Sequence, residues 1–350
     1  MQTAATLDAL LNLVRQQSAS DLHLSSGRPA MLRIDGKLVA TNDAPLDSDT
    51  IATMLGLLMP KAEFDSWQQK HECDFACDTT QGRFRINAYH THQGAAVAIR
   101  ALNSTLVGID MLTDNAHIHQ SLQKIASLQS GLVLVTGATG SGKSTTLAAL
   151  VDYINEHRAA HILTIEDPIE FIHECKSSLI SQRQVGTDTQ SFEQALRAAL
   201  REDPDVILVG ELRDLQTIRL ALTAAETGHL VLATLHTMSA SKSIDRIVDV
   251  FDAAEKHMVR TMLADSLQAV VAQRLLPATN GGRVAAFEIL LRTPAVANLI
   301  RENKSAQLPS VIQTGLSAGM ISLESSLNHL LRQGKISQET KTLAITQQNL

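Results

Sequence analysis

The sequence predicts a two-part α/β chain: a small α+β domain with an antiparallel sheet, then a larger nucleotide-binding domain on a parallel-rich sheet. Three observations carry that reading. Residues Gly137-Ala138-Thr139-Gly140-Ser141-Gly142-Lys143-Ser144 satisfy the phosphate-loop pattern G-x-x-x-x-G-K-[ST], between the apolar run Leu132-Val133-Leu134-Val135 and a helix-like segment over residues 144–156. From residue 121 onward, short apolar runs alternate with amphipathic segments, the pattern that crossover connections turn into a parallel sheet. The first part instead alternates polar and apolar positions around short turns, as strands with one solvated face do.

Taken in order, Leu7, Leu10, Leu11 and Val14 fall on one helical face. Residues 31–34 and 37–40 flank Asp35-Gly36, a strong short-range hairpin signal. Residues 83–89 alternate as a half-buried strand, and residues 95–102 form a second. The small domain is therefore expected over 1–102, a mixed and rather polar linker over 103–120, and the nucleotide domain over 121–350. Within the last, strands are predicted at 161–165, 179–182, 206–209 and 230–234. Ser191 opens a helix with Gln194 placed for a capping box and Phe192, Ala195, Leu196 and Ala199 on its buried face. Another helix runs from Asp214 to Glu226 and is stopped by Gly228. Past Ser241 the chain reads as mostly helical, with one strand near 284–290.

Composition bounds the function. At 350 residues and 44% hydrophobic, the chain can hold two cores, and with aromatics at 3% they must be built from Leu, Ile, Val and Ala. A net charge of −6 without a Lys/Arg block argues against a dedicated nucleic-acid surface. No apolar run approaches the ~18 residues that span a bilayer, and the N-terminus lacks a signal peptide's basic start and long apolar core. A soluble cytoplasmic protein is expected, with membrane contact only through partners. Its three cysteines make no disulfide framework, and Cys73 and Cys77, without nearby partners, are expected to pack and not to bind metal.

The chemistry begins at the phosphate loop. Glycines let backbone N–H groups turn onto phosphate oxygens, the following helix N-terminus adds a positive field, and Thr145 extends the cradle. Lys143 has the reach for the β- and γ-phosphates, and the Ser144 hydroxyl can ligate Mg²⁺. Three further segments narrow the reaction. Asp205-Val206-Ile207-Leu208-Val209-Gly210-Glu211 is an apolar strand ending in a carboxylate, which places Glu211 at the ligand edge beside Mg²⁺ or the attacking water. Residues 162–170 (ILTIEDPIE) put Glu166, Asp167 and Glu170 just past another strand, where Glu170, and next Glu166, can activate water. Residues 227–237 (TGHLVLATLHT) place His236 after a strand, suited to sensing the γ-phosphate, and His229 at the opposite end, suited to a structural hydrogen bond.

The run from Leu196 to Thr237, LRAALREDPDVILVGELRDLQTIRLALTAAETGHLVLATLHT, closely resembles the type IV pilus retraction ATPases, the twitching-motility or PilT family, within the wider secretion ATPases. The likeness extends to Ser20-Asp21-Leu22-His23-Leu24, Arg83-Phe84-Arg85-Ile86-Asn87 and Ser243-Ile244-Asp245-Arg246-Ile247-Val248-Asp249. The family's acidic box matches 164–170, its Walker B glutamate Glu211, and its histidine box His229 and His236. The resemblance implies a PAS-like first domain and a RecA-like ATPase domain in a hexameric ring, using ATP and Mg²⁺. It also implies that small-domain arginines reach the phosphates, Arg83 and Arg100 first and Arg85 as a further candidate. The implied task is pilus retraction against an inner-membrane platform protein, with related pilus ATPases as further partners and no direct nucleic-acid contact.

Departures sharpen that expectation. Relatives that extend pili or secrete proteins often carry a four-cysteine zinc site and a longer N-terminal region, and this chain shows neither. In the retraction signature A-I-R-N-L-I-R-E, matched by residues 295–302, Ala297 stands in place of the arginine, and Ala138 replaces the phosphate loop's usual proline. The alternatives are a secretion, pilus-extension or DNA-uptake ATPase, or a divergent paralogue acting as a regulatory ATP-binding ring subunit. Intact Lys143, Glu170 and Glu211 count against the regulatory reading. One Trp and two Tyr count against a helicase, which stacks bases on aromatic side chains.

Overall fold

The computed structural model describes residues 2–34, 36–102 and 105–346. It divides into two compact units, Met1–Thr105 and Leu106–Leu350.

The first unit is a six-stranded sheet with every neighbouring pair antiparallel. Its strands are β1 (Asp21–Ser25), β2 (Met31–Ile34), β3 (Lys37–Ala40), β4 (Glu72–Thr79), β5 (Gly82–Thr91) and β6 (Gly94–Ala101), in the order β3-β2-β1-β6-β5-β4. Strand alternation sends Leu22, Leu24, Phe84, Ile86, Val97 and Ile99 to one face, where they meet Leu11, Val14, Ile51, Met54, Leu55 and Trp67 of the helices Gln2–Gln16, Ser48–Leu58 and Lys61–Lys70. Each such side chain removed from water contributes about 1.5–3 kcal/mol. Gly36, at φ +80°, closes the predicted hairpin between β2 and β3, while Asp35 lies outside the described residues. Two strands escaped prediction. β1 is only five residues long, and β4, Glu-Cys-Asp-Phe-Ala-Cys-Asp-Thr, is poor in β-branched residues.

The second unit holds seven strands: β7 (Gly131–Thr136), β8 (His161–Glu166), β9 (Leu179–Gln184), β10 (Val206–Val209), β11 (Leu230–Leu235), β12 (Leu267–Pro277) and β13 (Arg283–Leu291). Their order is β13-β12-β7-β11-β10-β8-β9, parallel throughout except for the antiparallel β12–β13 pair. Every residue of β7, β10 and β11 is buried, as central strands covered on both faces require. The predicted strands and helices of this unit are all present to within two residues. Ser191 Oγ accepts from Gln194 N at 3.1 Å, and Asp214 caps the helix Leu215–Glu226.

Two expectations are corrected. The segment before β13 is not helical but the long strand β12: its Leu, Ala, Gln and Arg residues suit a helix, yet burial between β7 and β13 decides. The stretch expected as a linker holds the short helix Ile109–Leu112 and the first turn of Ala116–Ala126, with Ile109 and Ile118 in the core of the second unit. Its polar residues mask a single buried face. A separate apolar cluster, including Leu276, Leu323, Leu327, Leu330 and Ala344, seats the C-terminal helices Leu323–Arg332 and Gln338–Thr346. Among the described residues no helix is long and apolar enough to cross a membrane.

Candidate active site

The connection leaving β7 runs toward β8 while the one leaving its neighbour β11 runs back toward β12, and ligands of such sheets bind beyond the carboxyl ends of these strands. The phosphate loop lies there. Gly140 and Gly142 adopt φ +77° and +89°, the left-handed conformations that let successive N–H groups turn inward before the helix Lys143–His157 begins. Gly137 has no room for a side chain, because a Cβ would run into the Gln273 carbonyl oxygen and the Ser141 hydroxyl. Ala138, Thr139 and Gly140 are exposed, and Ser144 and Thr145 are half-buried at the start of the helix.

Lys143 bends back over the loop, its Nζ donating to the carbonyls of Gly137 at 2.8 Å and Ala138 at 3.1 Å. Burial pulls its pKa down, while the carboxylates of Glu211 and Glu170 push it back up, so all three side chains share one electrostatic neighbourhood. The buried Ser141 hydroxyl has no hydrogen-bond partner among the described residues. A buried ammonium resting on carbonyls, an unanswered hydroxyl and a turned backbone fit a polyphosphate.

Glu211 is held from both sides. Arg213 Nε donates to its Oε2 at 2.7 Å, and His236 Nε2 lies 3.1 Å from its Oε1. The preceding Gly210 donates to the Ile165 carbonyl at 2.8 Å and accepts from the Thr234 hydroxyl, tying the turn to both neighbouring strands. A Cβ at Gly210 would lie 3.2 Å from that Ile165 oxygen, so the close approach favours glycine. Asp167 faces outward, 3.6 Å from Arg213.

The glutamates of the acidic segment part company. Glu166 turns toward β9, where Thr164 Oγ1 donates to it at 2.7 Å and Gln182 Nε2 lies 3.4 Å away. Burial pushes its carboxyl up to about 7, against those two hydrogen bonds. Glu170 is the member of this segment whose charge bears on Lys143. His229 stands apart from these side chains, at the opposite end of β11, where the sequence suited it to a structural hydrogen bond. Its Nδ1 lies 3.0 Å from the Ala224 carbonyl at the end of a helix, and its own carbonyl accepts from Gly131 N, which opens β7. The six residues of β11 separate it from His236, seven residue steps or about 23 Å along the strand.

In the first unit, a row of charges crosses the polar face of the sheet, with Arg33 opposite Asp21, Asp21 opposite Arg100, and Arg100 opposite Arg85. Arg100 Nε donates to Asp21 at 2.8 Å, and Arg85 grips Asp74 with Nε at 3.1 Å and Nη2 at 2.6 Å. For Asp21, burial alone would raise the carboxyl, but hydrogen bonds from Ser20 and Arg100 outweigh it and lower the pKa. Arg83 differs: its side chain is 8% exposed and meets Asp78 at 2.5 Å, whereas that of Arg100 is 60% exposed. Arg100 therefore presents the more accessible guanidinium. Sequence reasoning overlooked Arg213 and Gln182, which contact Glu211 and Glu166, and Thr234, which ties down the Gly210 turn before Glu211. Arg213, two residues beyond Glu211, was the legible one.

The strand order, the loop at its switch point and the paired carboxylates define a P-loop ATPase with a RecA-like core. The model of the family described as type II/IV secretion system protein matches residues 2–318, and the chain belongs to that family. It is 51% identical to the type IV pilus retractation ATPase PilT of Pseudomonas aeruginosa, over 94% of this chain and 95% of that one. It is 50% identical to a twitching motility protein of Neisseria gonorrhoeae, over 95% of this chain and 89% of that one. Its fold matches the crystal structure of the pilus retraction motor PilT with bound ADP at a TM-score of 0.86, with 42% identity and 96% of each chain covered.

Proposed function

We propose that this ATPase is a homohexameric motor powering type IV pilus retraction, working from the cytoplasmic face of the inner membrane on a platform protein of the pilus. The observation that supports this most is likeness to PilT along nearly the whole chain, 51% identity over 94% of it, with Lys143, Glu170 and Glu211 all in place.

ATP is held by the backbone N–H groups of residues 137–145, and Lys143 exchanges its two carbonyl partners for β- and γ-phosphate oxygens. Ser144 and Glu211 would hold Mg²⁺, which when bound neutralises charge on those oxygens. Glu170, on the Lys143 side of the acidic segment, accepts the proton of the attacking water, with Glu166 behind it. Glu211 is fixed by Arg213, and His236 reads the γ-phosphate through its contact with Glu211. Arg100, with Arg85 and Arg83 on the same strand pair, supplies cationic charge to the transferring phosphoryl group in the ring. A cation so placed is worth roughly 10³–10⁵ in rate. Hydrolysis then changes the angle between the two units, which the ring converts into force.

Expression in a piliated host lacking its own retraction ATPase tests the reading, with fibre shortening timed by microscopy. Shortening that is lost in Lys143→Ala supports it. A folded, ATP-hydrolysing chain that leaves fibres at full length would instead assign it to another machine. The test also weighs Ala297, buried in the helix Pro294–Arg301, against the arginine of the retraction signature.

A further inference from the structure

We propose that Gln273 is a positioning residue of the nucleotide site, bracing the phosphate loop through a buried hydrogen bond from Thr146; this rests on the loop binding nucleotide.

β12 runs parallel to β7, with Val271 opposite Val135 and Ala272 opposite Thr136, so Gln273 arrives beside Gly137, where the phosphate loop begins. Three contacts follow. The Gln273 carbonyl packs onto Gly137 so closely that no side chain fits there. Its amide nitrogen lies 2.7 Å from where a Cβ on Gly142 would sit. Its Oε1 accepts from Thr146 Oγ1 at 2.6 Å, with Gln273 3% and Thr146 0% exposed. One side chain on a neighbouring strand thus touches the end of the loop and the first turn of the helix that follows it. Lys143 and Ser144, which are expected to touch phosphate and Mg²⁺, are the residues bracketed between those two points.

The chemistry of the position supports a specific role. Gln273 interrupts an otherwise largely apolar, buried strand, and a leucine would fill its volume without a polar group to satisfy. A glutamine is tolerable there because it is paired, and the pair fixes where the helix begins relative to the loop. Small misplacements at such a site are expensive: about 1 Å can cost on the order of 10² in rate. Gln273 does not reach the reacting atoms itself and acts through Thr146 and the glycines.

The test is binding of a fluorescent ADP analogue with Mg²⁺, together with steady-state ATPase kinetics and melting temperature without nucleotide. Gln273→Leu and Thr146→Val are each expected to weaken nucleotide binding by about tenfold, and the double variant to be no weaker than the worse single, as for groups acting through one bond. Thr146→Ser, which keeps the hydroxyl, is expected to bind within about twofold of the parent. Losses that add in the double variant would overturn the proposal. So would a Gln273→Leu chain with unchanged affinity and kcat and only a lower melting temperature, since that is packing alone. Should Gln273→Leu not fold, the Thr146 pair decides: weakening by valine with rescue by serine supports the brace, and normal binding by Thr146→Val removes it. Absence of binding by the parent chain would instead strike the nucleotide reading itself.

Discussion

The two sheets use their strands in opposite ways. In the second unit β7, β10 and β11 are buried along their whole length, and their polar side chains, Thr136 and Thr234, fall only near the carboxyl ends, where the candidate chemistry collects. In the first unit one face is buried, and the other carries the row Arg33, Asp21, Arg100 and Arg85 across four strands. The parallel sheet offers an edge and the antiparallel sheet offers a face. The comparison also explains why His236 and His229, flanking the same strand, do different work: strand polarity puts one beside Glu211 and the other under a helix end.

The edge should be the more sensitive of the two. Lys143→Ala is expected to lower kcat/KM for ATP by at least about 10³, because it removes the cation that the loop holds ready. A chain that still turns over normally would mean that the loop is not the working site. Glu211→Gln keeps its size and one acceptor for Arg213 but loses its charge. It is expected to bind nucleotide within a few-fold of the parent and to lose about 10²–10³ in kcat. Loss of binding instead would give Glu211 a structural role.

The face is tested next by comparing Arg100→Ala with Arg83→Ala. The exposed Arg100 should cost about 10²-fold in ring-dependent ATPase activity, with a smaller stability loss than Arg83→Ala because Ser20 still bonds to Asp21. The enclosed Arg83, 8% exposed on Asp78, should cost stability first, on the order of 1–3 kcal/mol by chemical denaturation. Equal kinetic losses without destabilisation would erase the distinction drawn between them. Within the edge itself, His236→Ala should slow turnover by about tenfold, while His229→Ala should cost about 1 kcal/mol of stability and leave kcat within about twofold. Reversed effects would show that His229 acts across the ring.

Legibility followed the same division. The edge was written in local motifs: an apolar run, then glycines, a lysine or a carboxylate at the strand end, so β7, β8, β10 and β11 could be read in place and Lys143, Glu170, Glu211 and His236 nominated from their positions at the strand ends. The face was not, because a cross-strand row is a matter of register. Nothing in the spacing of Arg33, Arg85 and Arg100 shows that they align, and β1, which sits between β2 and β6, was too short to be seen. Gln273 was missed for a related reason. Its strand has the composition of a helix, and its partner Thr146 is more than a hundred residues away, so only burial between β7 and β13 reveals it.

The smallest effect concerns Glu166, which lies between edge and interior. Burial raises its carboxyl to about 7 in the folded chain, from an ordinary 4.5. Because the folded pKa lies above the unfolded one, the folded chain holds the extra proton between those values. Stability therefore falls as pH rises from about 4.5 through about 7 and is flat beyond. The full cost of ionising it is about 3 kcal/mol at most, reduced by whatever water reaches this partly buried side chain. Glu166→Gln carries no such charge. Without nucleotide it should melt higher than the parent at pH 8, with the difference shrinking toward pH 5. A parallel pair of melting curves across that range would mean that Glu166 is already ionised at little cost. It would then compete with Glu170 for the water, and the order of the two glutamates in the mechanism would have to be settled by the kcat of Glu170→Gln and Glu166→Gln side by side.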